Sequence, residues 1–84
     1  MAYNGHMDIQ KLNEALGAEV RGARARAGYS RDKLAELSGV GVRTLQRIEN
    51  GERPADISQM AAICGALKED LAELVDRALA AIGE

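Results

Sequence analysis

With 84 residues, 46% hydrophobic and 29% charged, and a net charge of −2, the chain has room for one small domain, and a domain of that size buries only about 60% of its unfolded surface. No segment reaches the roughly 18 consecutive apolar residues of a membrane span, and the N-terminus lacks a signal peptide's basic start and apolar middle, so a soluble cytoplasmic protein with no membrane partner is expected. A single cysteine, Cys64, excludes an internal disulfide and a thiolate zinc cluster.

Ala and Leu are plentiful, Phe and Trp are absent, and no run alternates apolar with polar residues long enough to propose a strand, which predicts an all-α fold, a compact five-helix bundle. Residues 1–7 show no periodicity, and Gly5-His6-Met7 resembles the scar of a removed affinity tag; this arm, native or not, is set apart from a domain spanning 8–84. His6 is accordingly a poor metal or catalytic candidate. A first helix is expected from the Asp8 cap to about Ala27, closed by Gly28, with Ile9, Leu12, Leu16, Val20, Ala23 and Ala27 forming its apolar stripe. Tyr29 follows as a packing residue against the first or fifth helix.

The stretch Ser30 to Gly51 carries the main signal. Leu34, Leu37, Val40, Leu45 and Ile48 keep helical spacing on either side of Gly39-Val40-Gly41, which is long enough only for a corner. Ser30 is placed to cap the first of these two short helices, and Ala35 supplies the small residue their crossing needs. In the second, Val42, Arg43, Gln46 and Arg47 share an outward face while Leu45 and Ile48 turn inward. Asn50-Gly51 closes it, Gly51 providing the left-handed cap, and Pro54 stops any continuation. A fourth helix starts at Asp56 with Ile57, Met60, Ala61, Cys64 and Leu67 as its apolar face; Cys64 is then a core residue. After Lys68-Glu69-Asp70, a fifth helix carries Leu71, Leu74, Val75, Ala78, Leu79 and Ile82, a stripe longer than the bundle requires.

Arg31, Leu34-Ala35, Gly39, Leu45, Ile48 and Glu49-Asn50-Gly51, with flanks covering roughly residues 9 to 75, resemble the helix-turn-helix of the phage-repressor-like family of transcriptional regulators, also called the xenobiotic-response-element type. The resemblance implies a double-stranded DNA partner, with the second motif helix as the recognition helix. It departs from the family at Gly41, where Ser or Thr is commoner as cap, and at Arg31, where glutamine is commoner. Arg43 then has the chemistry to donate twice to guanine O6 and N7, Val42 to touch a thymine methyl, and Gln46 to pair with adenine; Arg47 either reads a second base or grips a phosphate. Phosphate contacts are assigned to Arg31, Lys33, Thr44, Asn50 and Arg53, with Lys33 open to being merely solvated. The family also implies an ion pair between Arg24 and Glu49, against the alternative of an ordinary exposed arginine. Leu79 and Ile82 are dimerisation candidates or, alternatively, frayed helix end.

Net negative charge runs against a nucleic-acid partner, but its distribution answers the objection. Residues 21–53 hold eight basic and four acidic residues, whereas the remainder holds three basic and nine acidic. No nucleophile–base pair, metal-ligand spacing or phosphate loop is present, so neither an enzyme nor a cofactor is expected. Two readings compete: a dimeric, sequence-specific regulator of the small phage or prophage repressor kind, and an antitoxin or interaction module whose fifth helix holds a protein partner.

Overall fold

The structure, a computed structural model, describes residues 7–83, so the expectations for the arm up to His6 lie outside the described residues. Five helices follow one another, α1 (Ile9–Ala27), α2 (Arg31–Ser38), α3 (Val42–Glu49), α4 (Ile57–Leu67) and α5 (Leu71–Gly83), and no strand forms among the described residues. The chain is all-α, and each boundary has a local cause. Asp8 accepts from the Lys11 amide at 3.0 Å and Ser30 from the Lys33 amide at 3.0 Å, each satisfying one orphan donor of a first turn. Asp56 and Gln59 form a reciprocal capping box at the start of α4, and Asp70 accepts from the Glu73 amide at 3.0 Å at the start of α5. Gly28 and Gly39 end α1 and α2 in the left-handed conformation, with φ of 76° and 78°.

Lys68 adopts the same conformation after α4, at φ 58°, although it is not glycine. A Cβ there crowds the backbone, so Lys68→Gly is expected to stabilise the fold by about 0.5 to 1 kcal/mol after the loss of chain stiffness is set against the relief. A thermal melt with an unchanged or lower midpoint would contradict this.

The core is built from Val20, Ala23, Leu34, Val40, Leu45, Ile48, Met60, Ile63, Cys64, Leu67 and Leu74, with Tyr29 and Ala35 packed against it. α1 packs chiefly on α5 and α3, and α2 on α4 and α3. Several residues expected inside are not. Ile9 and Ile57, in the first turns of α1 and α4, are 69% and 70% exposed, because an apolar stripe is covered only where a neighbouring helix reaches it. Leu37, Ala27 and Ala61 are likewise exposed. In α4 the buried line is Met60, Ile63, Cys64 and Leu67, the i, i+3, i+4, i+7 pattern of one face, and Ile63 takes the place assigned to Ala61. Burial pushes the Cys64 thiol up, with nearby Glu69 adding to the effect, so it stays a protonated core group.

Arg77 fastens α5 across to α1. Its Nε donates to Glu19 and its Nη2 to Glu69, both at 2.9 Å, and Arg26 approaches Glu69 at 3.9 Å. The bonds to Glu19 and then Glu69 hold this guanidinium protonated more firmly than a free one.

Candidate nucleic-acid interface

The corner between α2 and α3 is the three residues 39–41, and α3 starts from an extended Gly41 with no side-chain cap. Buried Leu45 and Ile48 fix the rotation of α3 about its axis, and that rotation leaves Val42, Arg43, Gln46 and Arg47 exposed together on the opposite side. Thr44 is half-buried beside them. Among the described residues neither Arg43 nor Arg47 is paired with a carboxylate, whereas Arg24, Arg26, Arg31, Lys33 and Arg77 all are. This face of α3 is therefore a place where cationic charge is left uncancelled among the described residues. Asn50 is exposed and Arg53 half-buried in the loop that follows α3, and Lys33 lies on exposed α2 surface 3.6 Å from Glu36.

Behind this face sits one buried charge. The Glu49 side chain, at the C-terminal end of α3, is 0% exposed. Arg24 grips it with two bonds, Nε to Oε2 at 2.7 Å and Nη2 to Oε1 at 3.0 Å. The expected Arg24–Glu49 pair is thus formed, with Arg24 only 15% exposed. The hydrogen bond to Glu49 raises the affinity of this guanidinium for its proton, against the opposing effect of burial. Arg24 Nη1 also donates to the Tyr29 carbonyl at 2.9 Å, which ties the turn between α1 and α2 into the same cluster.

Arg31 joins the cluster too. Its Nε donates to Glu49 Oε1 at 3.0 Å, so this residue, expected from the sequence to address a phosphate, is anchored to the end of α3 while 37% exposed. The sequence pattern offered no sign of this second partner, since nothing in helical spacing pairs the first residue of α2 with the last of α3.

Two glycines set how closely α1 approaches that end of α3. A Cβ on Gly17 would run into the backbone oxygen of Ile48 and stand 2.9 Å from that of Glu49. Gly51 has φ 73°, and a Cβ there would stand 2.7 Å from Glu14 Cγ. Gln10 Nε2 completes the junction by donating to the Gly51 carbonyl at 3.0 Å. Gly17 and Gln10 were invisible as site residues, although a glycine in step with Val20 along the buried face of a helix is the one local signal of a close crossing.

Leu79 and Ile82 are half-buried. Ile82 and Ala81 line a shallow groove with Lys11, Glu14 and Ala15, so the end of α5 leans on the start of α1. No helix among the described residues is long and apolar enough to cross a membrane. Among the same residues no group of three or more His, Cys, Asp or Glu side chains is arranged to hold a metal.

Two short helices meeting at a tight corner, the second exposing a cationic face over a buried core, define a helix-turn-helix protein. The helix-turn-helix domain family matches residues 15–75. Two crystal structures of the clp gene regulator ClgR from Corynebacterium glutamicum are similar. The first has 34% identity and a TM-score of 0.79, covering 84% of this chain and 92% of that one. The second has 33% identity and a TM-score of 0.80, covering 86% and 77%. The restriction-modification controller protein C.AhdI from Aeromonas hydrophila is similar at 27% identity and a TM-score of 0.71, over 74% of this chain and 94% of that one. No curated protein matches. The chain belongs to the helix-turn-helix domain family, within its repressor-like class of DNA-binding transcription regulators.

Proposed function

We propose that this protein is a sequence-specific regulator of the small phage or prophage repressor kind, binding a palindromic operator as a homodimer. The observation that carries the reading is the exposed face of α3, where Arg43 and Arg47 stand without carboxylate partners among the described residues beside Val42 and Gln46. Arg43 supplies bidentate readout of guanine, Val42 a thymine-methyl contact, Gln46 an adenine contact, and Arg47 a second base or a phosphate. Arg31, Lys33, Thr44, Asn50 and Arg53 flank them as backbone contacts that set register. A two-fold pair of such domains, joined through Leu79 and Ile82 at the end of α5, would present recognition helices about 34 to 36 Å apart. ClgR and C.AhdI are named for different regulatory tasks on one architecture, so the target genes are not transferable from either.

Selection of bound duplexes from a random library at physiological salt tests the reading, because salt governs how much non-specific binding survives. An enriched palindrome with half-sites one helical turn apart is expected. Absence of enrichment would favour the antitoxin or interaction-module alternative and direct attention to partners of α5.

On the enriched site, Arg43→Ala is expected to lose about 1 to 3 kcal/mol of discrimination at one base pair per half-site. Arg53→Ala should instead weaken binding to all sequences alike and lower the salt slope by about 1 per protomer. Equal losses of specific and random binding for Arg43→Ala would remove it from the reading role.

A further inference from the structure

We propose that Glu49 is a positioning residue for DNA binding, acting through Arg31. The assignment rests on the DNA-binding reading above and deepens it by naming what holds one backbone contact in place.

Two guanidinium groups share this single carboxylate, Arg24 through Nε and Nη2 and Arg31 through Nε. The cluster therefore keeps one surplus positive charge. Arg24 is enclosed and donates its remaining terminal nitrogen to the Tyr29 carbonyl, so the surplus reaches solvent on Arg31. Among the described residues Arg31 makes no hydrogen bond through Nη1 or Nη2, which leaves four N–H groups for an acceptor from outside. An acceptor with several oxygens and a negative charge suits that fork, and a phosphate of the duplex backbone is the group of this kind that the α3 face would bring near.

The connection matters because of where its ends lie. Arg31 is the first residue of α2 and Glu49 the last of α3, so the bond fixes the cation to the recognition helix and not only to its own helix. Glu49 is in turn immobilised by complete burial and by Arg24. A phosphate held by Arg31 is thereby held at a set distance from Arg43 and Arg47. Lysine at position 31 lacks this geometry, since one ammonium placed on Glu49 has no second nitrogen to offer.

The test measures binding of the full chain to the enriched duplex and to a scrambled duplex across a salt series, by fluorescence anisotropy, for wild type, Arg31→Ala, Arg31→Lys, Glu49→Gln and the Arg31→Ala/Glu49→Gln pair. Arg31→Ala is expected to weaken binding about tenfold and to reduce the salt slope by about 1 per protomer. Arg31→Lys should fall within about threefold of the alanine variant despite keeping the charge. Glu49→Gln should weaken binding in the wild-type background but not where Arg31 is already absent. Arg31→Lys binding as wild type, or Glu49→Gln weakening both backgrounds equally, would overturn the assignment. Circular dichroism reports whether Glu49→Gln is folded at the assay temperature; where it is not, the lysine and alanine comparison alone decides. A wild type that distinguishes no duplex would bring down the DNA reading and the assignment together, whereas a binding wild type matched by Arg31→Lys brings down the assignment alone.

Discussion

Glu49→Gln is expected to lower stability by about 3 to 5 kcal/mol, the range found when one member of a buried pair is removed and its partner is left behind. The substitution keeps the shape and removes the charge. Arg24, 15% exposed, remains a cation because arginine does not deprotonate in proteins, and it then faces a neutral amide that accepts at one oxygen only. An 84-residue domain has a total stability on the order of 4 to 13 kcal/mol, so a loss of this size removes a large share of it. A fall in melting temperature of roughly 12 °C or more is the expected reading, at about 4 to 8 °C per kcal/mol for a domain of this size. Replacing Arg24 and Glu49 together by apolar residues of similar volume should recover much of the loss, since a buried pair and a packed hydrophobic contact are often of similar worth. A shift of only a few degrees for Glu49→Gln would place this pair with exposed ones, worth less than about 1 kcal/mol.

The helices and their ends were legible because their causes are local. Asp8, Ser30 and Asp56 are caps by side-chain chemistry, Gly28 and Gly39 are stops by backbone freedom, and the inward positions Leu45 and Ile48 dictate which side of α3 faces out. The Arg24–Glu49 pair was legible for a different reason, through resemblance to a family rather than through spacing. What escaped depends on which helix reaches which. Ile9 and Ile57 satisfy the periodicity of their helices, yet they lie in first turns that no neighbour covers. Ile63 belongs to the buried line of α4 by geometry once Met60 and Leu67 are fixed inside, and the phase error that preferred Ala61 amounts to part of a turn. The attachment of Arg31 to Glu49 and the closeness of Gly17 to α3 join residues 18 and 31 or 32 positions apart, and no single-helix pattern encodes such pairs.

Gly17→Ala and Gly22→Ala, the same change in the same helix, should move stability in opposite directions. On helix propensity alone, each ought to gain about 1 kcal/mol. At Gly22 the added Cβ would meet only the Nη1 end of Arg26, at 3.3 Å, and that flexible group can step aside, so the gain should be largely realised. At Gly17 the obstruction is backbone: the Ile48 oxygen, with the Glu49 oxygen at 2.9 Å and the Glu49 carbonyl carbon at 3.1 Å. Neither carbonyl can move without shifting the end of α3, so α1 must back away. That separation loosens Val20 and Ile48 in the shared core and strains the reach of Arg24 to Glu49, since all lie along the same crossing. Overpacking of this kind costs typically about 1 to 3 kcal/mol, and with an unyielding backbone on the other side the upper end of that range, set against the propensity gain, leaves an expected net loss of about 2 kcal/mol. Parallel thermal melts of the two variants check the pair. A Gly17→Ala protein as stable as Gly22→Ala would mean that α1 and α3 tolerate a wider crossing, and the rigid seating of α3 on α1 would have to be given up.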